Sequence, residues 1–126
     1  MTQEQKDLLL KDLCARLTYG VKCKDTNINV IGTLSQIGLH YGMCSLDKDD
    51  GDSEYCYIYN CKPYLFPLSS MTEEQREEWH SLMVRDAYGI LYHTIESFDY
   101  LYKNHIDCRD LIPTGLAKDA TGLNIY

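Results

Sequence analysis

The sequence predicts an α+β fold: an N-terminal helix, a small antiparallel β-meander or SH3-like open barrel, then two or three C-terminal helices. Two observations predict it. Residues 1–18 and 72–112 carry apolar side chains at helical spacing behind threonine caps, whereas residues 21–68 fall into short β-branched and aromatic runs separated by turn residues. A third observation bounds the size. At 126 residues, with 44% hydrophobic and 25% charged side chains, the chain has the composition of one ordered globular domain, residues 1–126.

The opening MTQEQKDLLLKDLCARL places Thr2 at an N-cap with Gln5 three positions on, the reciprocal arrangement that satisfies two backbone donors of a first helical turn. Leu8, Leu9, Leu13 and Leu17 continue at helical spacing, with Arg16 on an adjacent turn. Cys14, beside Leu10 and Leu17, reads as a small hydrophobe. Gly20 suits a left-handed C-terminal residue.

VKCKDT, NVIGTLSQI, HYGMCSL and EYCYIYN follow as candidate strands, with KPYLFPL as a fifth extended segment. In EYCYIYN, Tyr55, Tyr57 and Tyr59 alternate with Cys56, Ile58 and Asn60, which puts the tyrosines on one face. Pro63 and Pro67 donate no ladder hydrogen bond, so they predict an edge position and a stiff exit from the sheet. Thr72 and Gln75 repeat the capping device before a helix whose apolar stripe is Trp79, Leu82, Met83, Ala87 and Ile90. Gly89 ends or bends that helix. Another helix is expected over Ile95 to Asn104 with Phe98, Leu101 and Tyr102 inward, and Asp107 is expected to cap a last turn through Ile112. Residues 113–126 form an irregular tail, in which Ile125 and Tyr126 suggest docking onto the core.

The string KPYLFPLSSMTEEQ, followed by YLYKNHIDCRDLIPTGLA, resembles a family of small uncharacterised proteins of Bacteroides-type gut bacteria and their phages or mobile elements. The family's joint reads like K-P-Y-L-R-P-L/M-S-S-M-T-E-E-E and its later segment like W-L-N-x-H-H-F-D-Y-R-G-L-I-x-x-G-L-A. The likeness covers residues 61–75 and 97–118. Here Phe66 stands where arginine is frequent, Asn104 where the first histidine of a pair stands, and Cys108 and Asp110 where tyrosine and glycine stand. The resemblance implies a fold and a genomic setting, and carries over no catalytic residue.

Charge and cysteine usage exclude several functions. Residues 47–54, DKDDGDSE, hold five acids against one lysine (−4), and residues 72–86 hold five against two arginines (−3), which together equal the net charge of −7. With no basic stripe to neutralise phosphates, double-stranded nucleic acid is not expected as a partner. The N-terminus lacks a signal-peptide pattern and no apolar run approaches the ~20 residues of a membrane span, so a cytoplasmic protein with no membrane partner is expected. Without an export signal the six cysteines read as free thiols. They contain no C-x-x-C pair, so neither a zinc site nor another cofactor is expected.

The remaining motifs read structurally. Glu73 and Glu74 already compensate the helix start that Ser69, Ser70 and Thr72 precede, which disfavours an anion there. In DKDDGDSE the glycine arrives one position early for an EF-hand loop. NHIDCRD, with His105 and Cys108 in reach of one another in sequence, has no second cluster to complete a catalytic site, and no catalytic residue is assigned. What is left is aromatic. Tyr41, Tyr55, Tyr57, Tyr59 and Tyr64 lie in the strand region, and Phe66, Trp79 and His105 lie near it, an inventory that suits either docking a peptide or covering the core under the helices with the tyrosine hydroxyls reaching water. The sequence therefore predicts a non-enzymatic protein-interaction module that presents tyrosines and acidic patches to a protein partner. The alternative is a small-molecule or nucleotide binder, or an enzyme, with Tyr55, Tyr57, Trp79 and His105 walling a pocket between barrel and helices.

Overall fold

The computed structural model describes residues 1–126. Helix α1 (Gln3–Arg16) starts at the expected capping box: Gln5 N–H donates to Thr2 Oγ1 at 3.1 Å and Thr2 N–H to Gln5 Oε1 at 3.0 Å. It buries Leu9, Asp12, Leu13 and Arg16, one face at i, i+3, i+4 and i+7 spacing. Gly20 closes the turn after the helix with φ 69°. Cys14 is exposed, so it does not serve as the small core residue its neighbours suggest. At 100° per residue it falls on the side of α1 turned away from Leu9, Asp12, Leu13 and Arg16.

Five strands follow as expected: β1 (Lys22–Asp25), β2 (Val30–Gly38), β3 (Met43–Asp47), β4 (Ser53–Tyr57) and β5 (Cys61–Leu65). They lie in the order β4-β3-β2-β1-β5, all neighbours antiparallel. The register of β2 against β3 shifts between Leu34 and Gln36, a bulge that bends the strand. The sheet curls strongly. Cys44 Sγ on β3 and Cys61 Sγ on β5 come within 3.0 Å although two strands separate them in the sheet. A 3-10 turn at Ile58–Asn60 links β4 to β5 without pairing them, so the curled sheet stays open and is not a closed barrel. Its concave face and α1 enclose the main core, with Leu9 and Leu13 against Leu34, Leu46, Cys56, Cys61 and Leu65.

The chain then leaves the sheet through Phe66, whose N–H donates to His105 O at 2.8 Å while its carbonyl accepts Asp107 N–H at 2.9 Å. Contrary to the edge position that the prolines predict, β5 is covered on both sides. The tail adds β8 (Lys118–Asp119) in parallel beside Tyr64 and Leu65, beyond the residue that lacks an N–H, so Pro63 does not interrupt the pairing. Tyr126 completes the docking of the tail: its hydroxyl donates to Tyr64 O at 2.7 Å and accepts Lys22 N–H at 2.9 Å, and its ring stacks on His105 at 3.8 Å.

Helix α2 (Glu73–Ser81) has the second capping box, Thr72 with Gln75. It is shorter than its sequence suggests. The chain turns into a hairpin, β6 (Val84–Arg85) and β7 (Leu91–Tyr92), so Ala87 and Ile90 lie off any helix and Ile90 is exposed. Asp86 causes the change. Its Oδ1 accepts Tyr88 N–H at 2.8 Å and Ile90 N–H at 2.9 Å, and Gly89 takes φ 82°, a turn conformation that competes with the helix. Helix α3 (Ile95–Lys103) buries Leu101 and Tyr102, while Phe98 is exposed and lies between His93 and Tyr102. As expected, Asp107 caps a last turn through Ile112, its carboxylate accepting the amides of Arg109, Leu111 and Ile112. Trp79 bridges α2 and α3, its indole N–H donating to Ser97 O at 3.2 Å, over a small core of Met71, Leu101 and Ile106. No helix is long and apolar enough to cross a membrane.

Candidate functional site

The candidate binding residues separate into four places. Tyr55 and Tyr57 point outward from β4, with Tyr59 following on the 3-10 turn; their exposures are 69%, 61% and 43%. Cys56 and Ile58 point into the core, as the alternation requires. Tyr64 is buried at 5% exposure under the tail. Phe66 and His105 line a 380 Å³ pocket with Tyr126. Trp79 lies in the α2–α3 core, stacked on His93 at 5.5 Å between ring centres. No single cavity between sheet and helices gathers Tyr55, Tyr57, Trp79 and His105.

The outer face of β2, β3 and β4 forms the most aromatic exposed surface. A groove of about 250 Å³ runs over it, lined by Gln36, Gly38, Tyr41, Met43, Ser45 and Tyr55. Tyr41, 77% exposed, stands at the turn between β2 and β3. Across the β3–β4 hairpin, Ser45 pairs with Tyr55 and Met43 with Tyr57, so both tyrosine rings flank the same apolar strip. β4 is the outermost strand on this side of the sheet.

The acidic loop closes the same hairpin. Its mouth, Asp47 opposite Ser53, lies two residue pairs from Ser45 and Tyr55, roughly 7 Å at the usual strand rise. Asp47 is held by the hydroxyls of Ser35 and Ser53, at 3.1 and 2.8 Å. Lys48 answers Asp50 at 3.7 Å and Glu54 at 3.4 Å, leaving the loop strongly negative. Tyr59 already receives a cation, with Lys6 Nζ 4.6 Å from its ring centre.

Alternation within one strand reveals Tyr55 and Tyr57. The contributions of Gln36, Gly38 and Met43 depend on cross-strand register, for which the sequence gives no signal beyond turn residues. The same register brings Asp25, Cys56 and Cys61 together in the interior, with ligating atoms within 4.8 Å of one another, although their spacing in sequence suggests no metal site.

His105 differs from the tyrosines in carrying a perturbed ionisation. Burial, with the charge of Arg16 second, lowers it from 6.5 to about 4, and its Nδ1 has no hydrogen-bond partner. In the unfolded chain the imidazole titrates near its ordinary value of about 6.5. Between those limits the unfolded state binds more protons. The stability present above pH ~6.5 is therefore expected to fall as pH drops through the folded value. His105→Gln should flatten that slope in urea unfolding measured across the window; an unchanged slope would assign it to other groups.

No family model, curated protein or solved structure matches this chain.

Proposed function

We propose that the protein is a non-enzymatic interaction module whose β2–β3–β4 face takes an extended segment of a partner protein bearing lysine or arginine beside an apolar side chain. The observation that carries this reading is the exposed tyrosine-lined groove next to a loop of five carboxylates. Tyrosine supplies a large contact surface at low entropic cost, and tyrosines and arginines dominate the energetics of protein interfaces. The apolar strip accepts the aliphatic anchor, the ring faces accept a guanidinium or ammonium, and the carboxylates steer the approach. We propose host or mobile-element proteins as the source of such a partner, on the family resemblance alone.

A displayed random-peptide library panned against the intact protein tests the proposal. Selected peptides should be enriched in Lys or Arg next to an apolar residue, should lose at least tenfold in affinity to the Tyr55→Ala/Tyr57→Ala protein, and should weaken as salt rises. Recovery of acidic peptides, or binding indifferent to both changes, would overturn it.

The second reading, a small-molecule or nucleotide binder, rests on the 380 Å³ pocket of Phe66, Gln75, Lys103, His105 and Tyr126 with its unpartnered His105 Nδ1. A nucleotide and metabolite panel read by thermal shift tests it, with stabilisation that disappears in His105→Ala as the supporting result.

A further inference from the structure

Three thiols and a carboxylate converge inside the curled sheet, one from each of four strands. Cys44 comes from β3, Cys56 from β4, Cys61 from β5 and Asp25 from β1, and all four residues are buried. Register explains the meeting. Cys44 stands opposite Cys56 on one hairpin and Asp25 opposite Cys61 on another strand pair, and the curl folds one pair onto the other. The Cys44 and Cys61 sulfurs are 3.0 Å apart, and the ligating atoms of Asp25, Cys56 and Cys61 lie within 4.8 Å.

We infer that Asp25, Cys44, Cys56 and Cys61 form a structural zinc site that ties β3 and β4 to β1 and β5 across the open seam of the sheet. A tetrahedral zinc with bonds of about 2.3 Å to sulfur and 2.0–2.2 Å to oxygen sets its ligand atoms roughly 3.5–3.8 Å apart. Cys44 and Cys61 reach that spacing by separating by less than 1 Å, and the ligating atoms of Asp25, Cys56 and Cys61, within 4.8 Å of one another, reach it by side-chain rotations that draw them together by up to about 1 Å. Thiolates select a soft or borderline cation over calcium or magnesium, and the mixed sulfur and carboxylate set suits zinc. Asp25 is oriented for the role. Its Oδ1 accepts the amides of Asn27 at 2.7 Å and Ile28 at 3.2 Å, which leaves Oδ2 for the metal.

The location supplies the purpose. β4 and β5 are consecutive yet unpaired, so no backbone ladder holds the seam shut, and a metal shared by the strands on its two sides replaces that ladder. A disulfide between Cys44 and Cys61 would engage two of the four donors and give Cys56 and Asp25 nothing to do. On binding, three neutral thiols become thiolates and release their protons to solvent, while Asp25 ligates as the carboxylate; nothing is oxidised or reduced.

Metal analysis and native mass spectrometry of the intact protein, purified under reducing conditions with zinc supplied, test the site. The expected result is one zinc per chain, a lower melting temperature after chelation, and, on replacement by Co²⁺, the intense visible bands of tetrahedral thiolate cobalt. Asp25→Asn and Cys56→Ser should weaken zinc binding on the order of 10–100-fold or more, while Cys14→Ser and Cys108→Ser should leave it unchanged. The wild-type stoichiometry and cobalt spectrum do not depend on whether the ligand variants fold. A folded wild-type protein that takes up neither zinc nor tetrahedral cobalt, or a metal-free protein isolated with a Cys44–Cys61 disulfide, would overturn the inference.

Discussion

Arg16→Ala is expected to destabilise the protein by about 3–5 kcal/mol, the cost of stranding a buried charge by removing its partner. Arg16 and Asp12 both have fully buried side chains, joined at 2.8 Å across one turn of α1. Arg16 also donates to Ile106 O at 2.7 Å and lies 5.2 Å from the centre of the Tyr102 ring, so it bolts the first helix to the segment after α3. Burial outweighs the attraction of Arg16 and Arg109 and leaves Asp12 titrating above the usual carboxylate range, so the pair is costly to desolvate even when intact. Replacing both residues with leucine should therefore cost less than Arg16→Ala alone. Urea denaturation of the single and double variants decides the matter: equal losses in both would mean that Asp12 does not depend on Arg16. Against a typical total of 5–15 kcal/mol, the single change consumes a large share of the stability.

Asp107→Ala is expected to have the second largest effect. Oδ1 accepts Arg109 N–H at 3.2 Å and Leu111 N–H at 3.0 Å, and Oδ2 accepts Ile112 N–H at 2.9 Å, so one carboxylate organises the whole turn between α3 and β8. Each buried donor left without a partner costs roughly 1–3 kcal/mol. A loss of at least about 2 kcal/mol should appear in thermal unfolding, with Asp107→Asn intermediate because its carbonyl keeps the Oδ1 bonds while its amide faces the Ile112 N–H. An Asn variant no more stable than the Ala variant would show that the ionised carboxylate, rather than its geometry, holds the turn.

Local signals in the sequence translated well into local structure. Thr2 with Gln5 and Thr72 with Gln75 formed their capping boxes, and the alternation of Tyr55 and Tyr57 with Cys56 set the faces of β4. The 3.6-residue period after Thr72 runs beyond the helix because Ala87 and Ile90 continue it by coincidence, while the turn bonds to Asp86 and the positive φ of Gly89 end it. Arg16 and Asp12 fall in the apolar stripe of α1, a polar pair at i, i+4 whose burial becomes visible only when the Tyr102 ring and Ile106 carbonyl arrive from residues far along the chain. The cysteine and aspartate cluster was illegible for the same reason. Its donors come from four strands, and only the curl of the sheet places them together.

The tyrosine face is tested most directly by amide chemical-shift mapping with the tightest peptide from the library selection. Titration into the ¹⁵N-labelled protein should give saturable, salt-sensitive shifts confined to the groove around Gln36, Tyr41, Met43 and Tyr55, to Tyr57, and to the acidic loop at 47–54. Shifts centred instead on Phe66, Lys103, His105 and Tyr126 would contradict the account and move the binding surface to the pocket beside the docked tail.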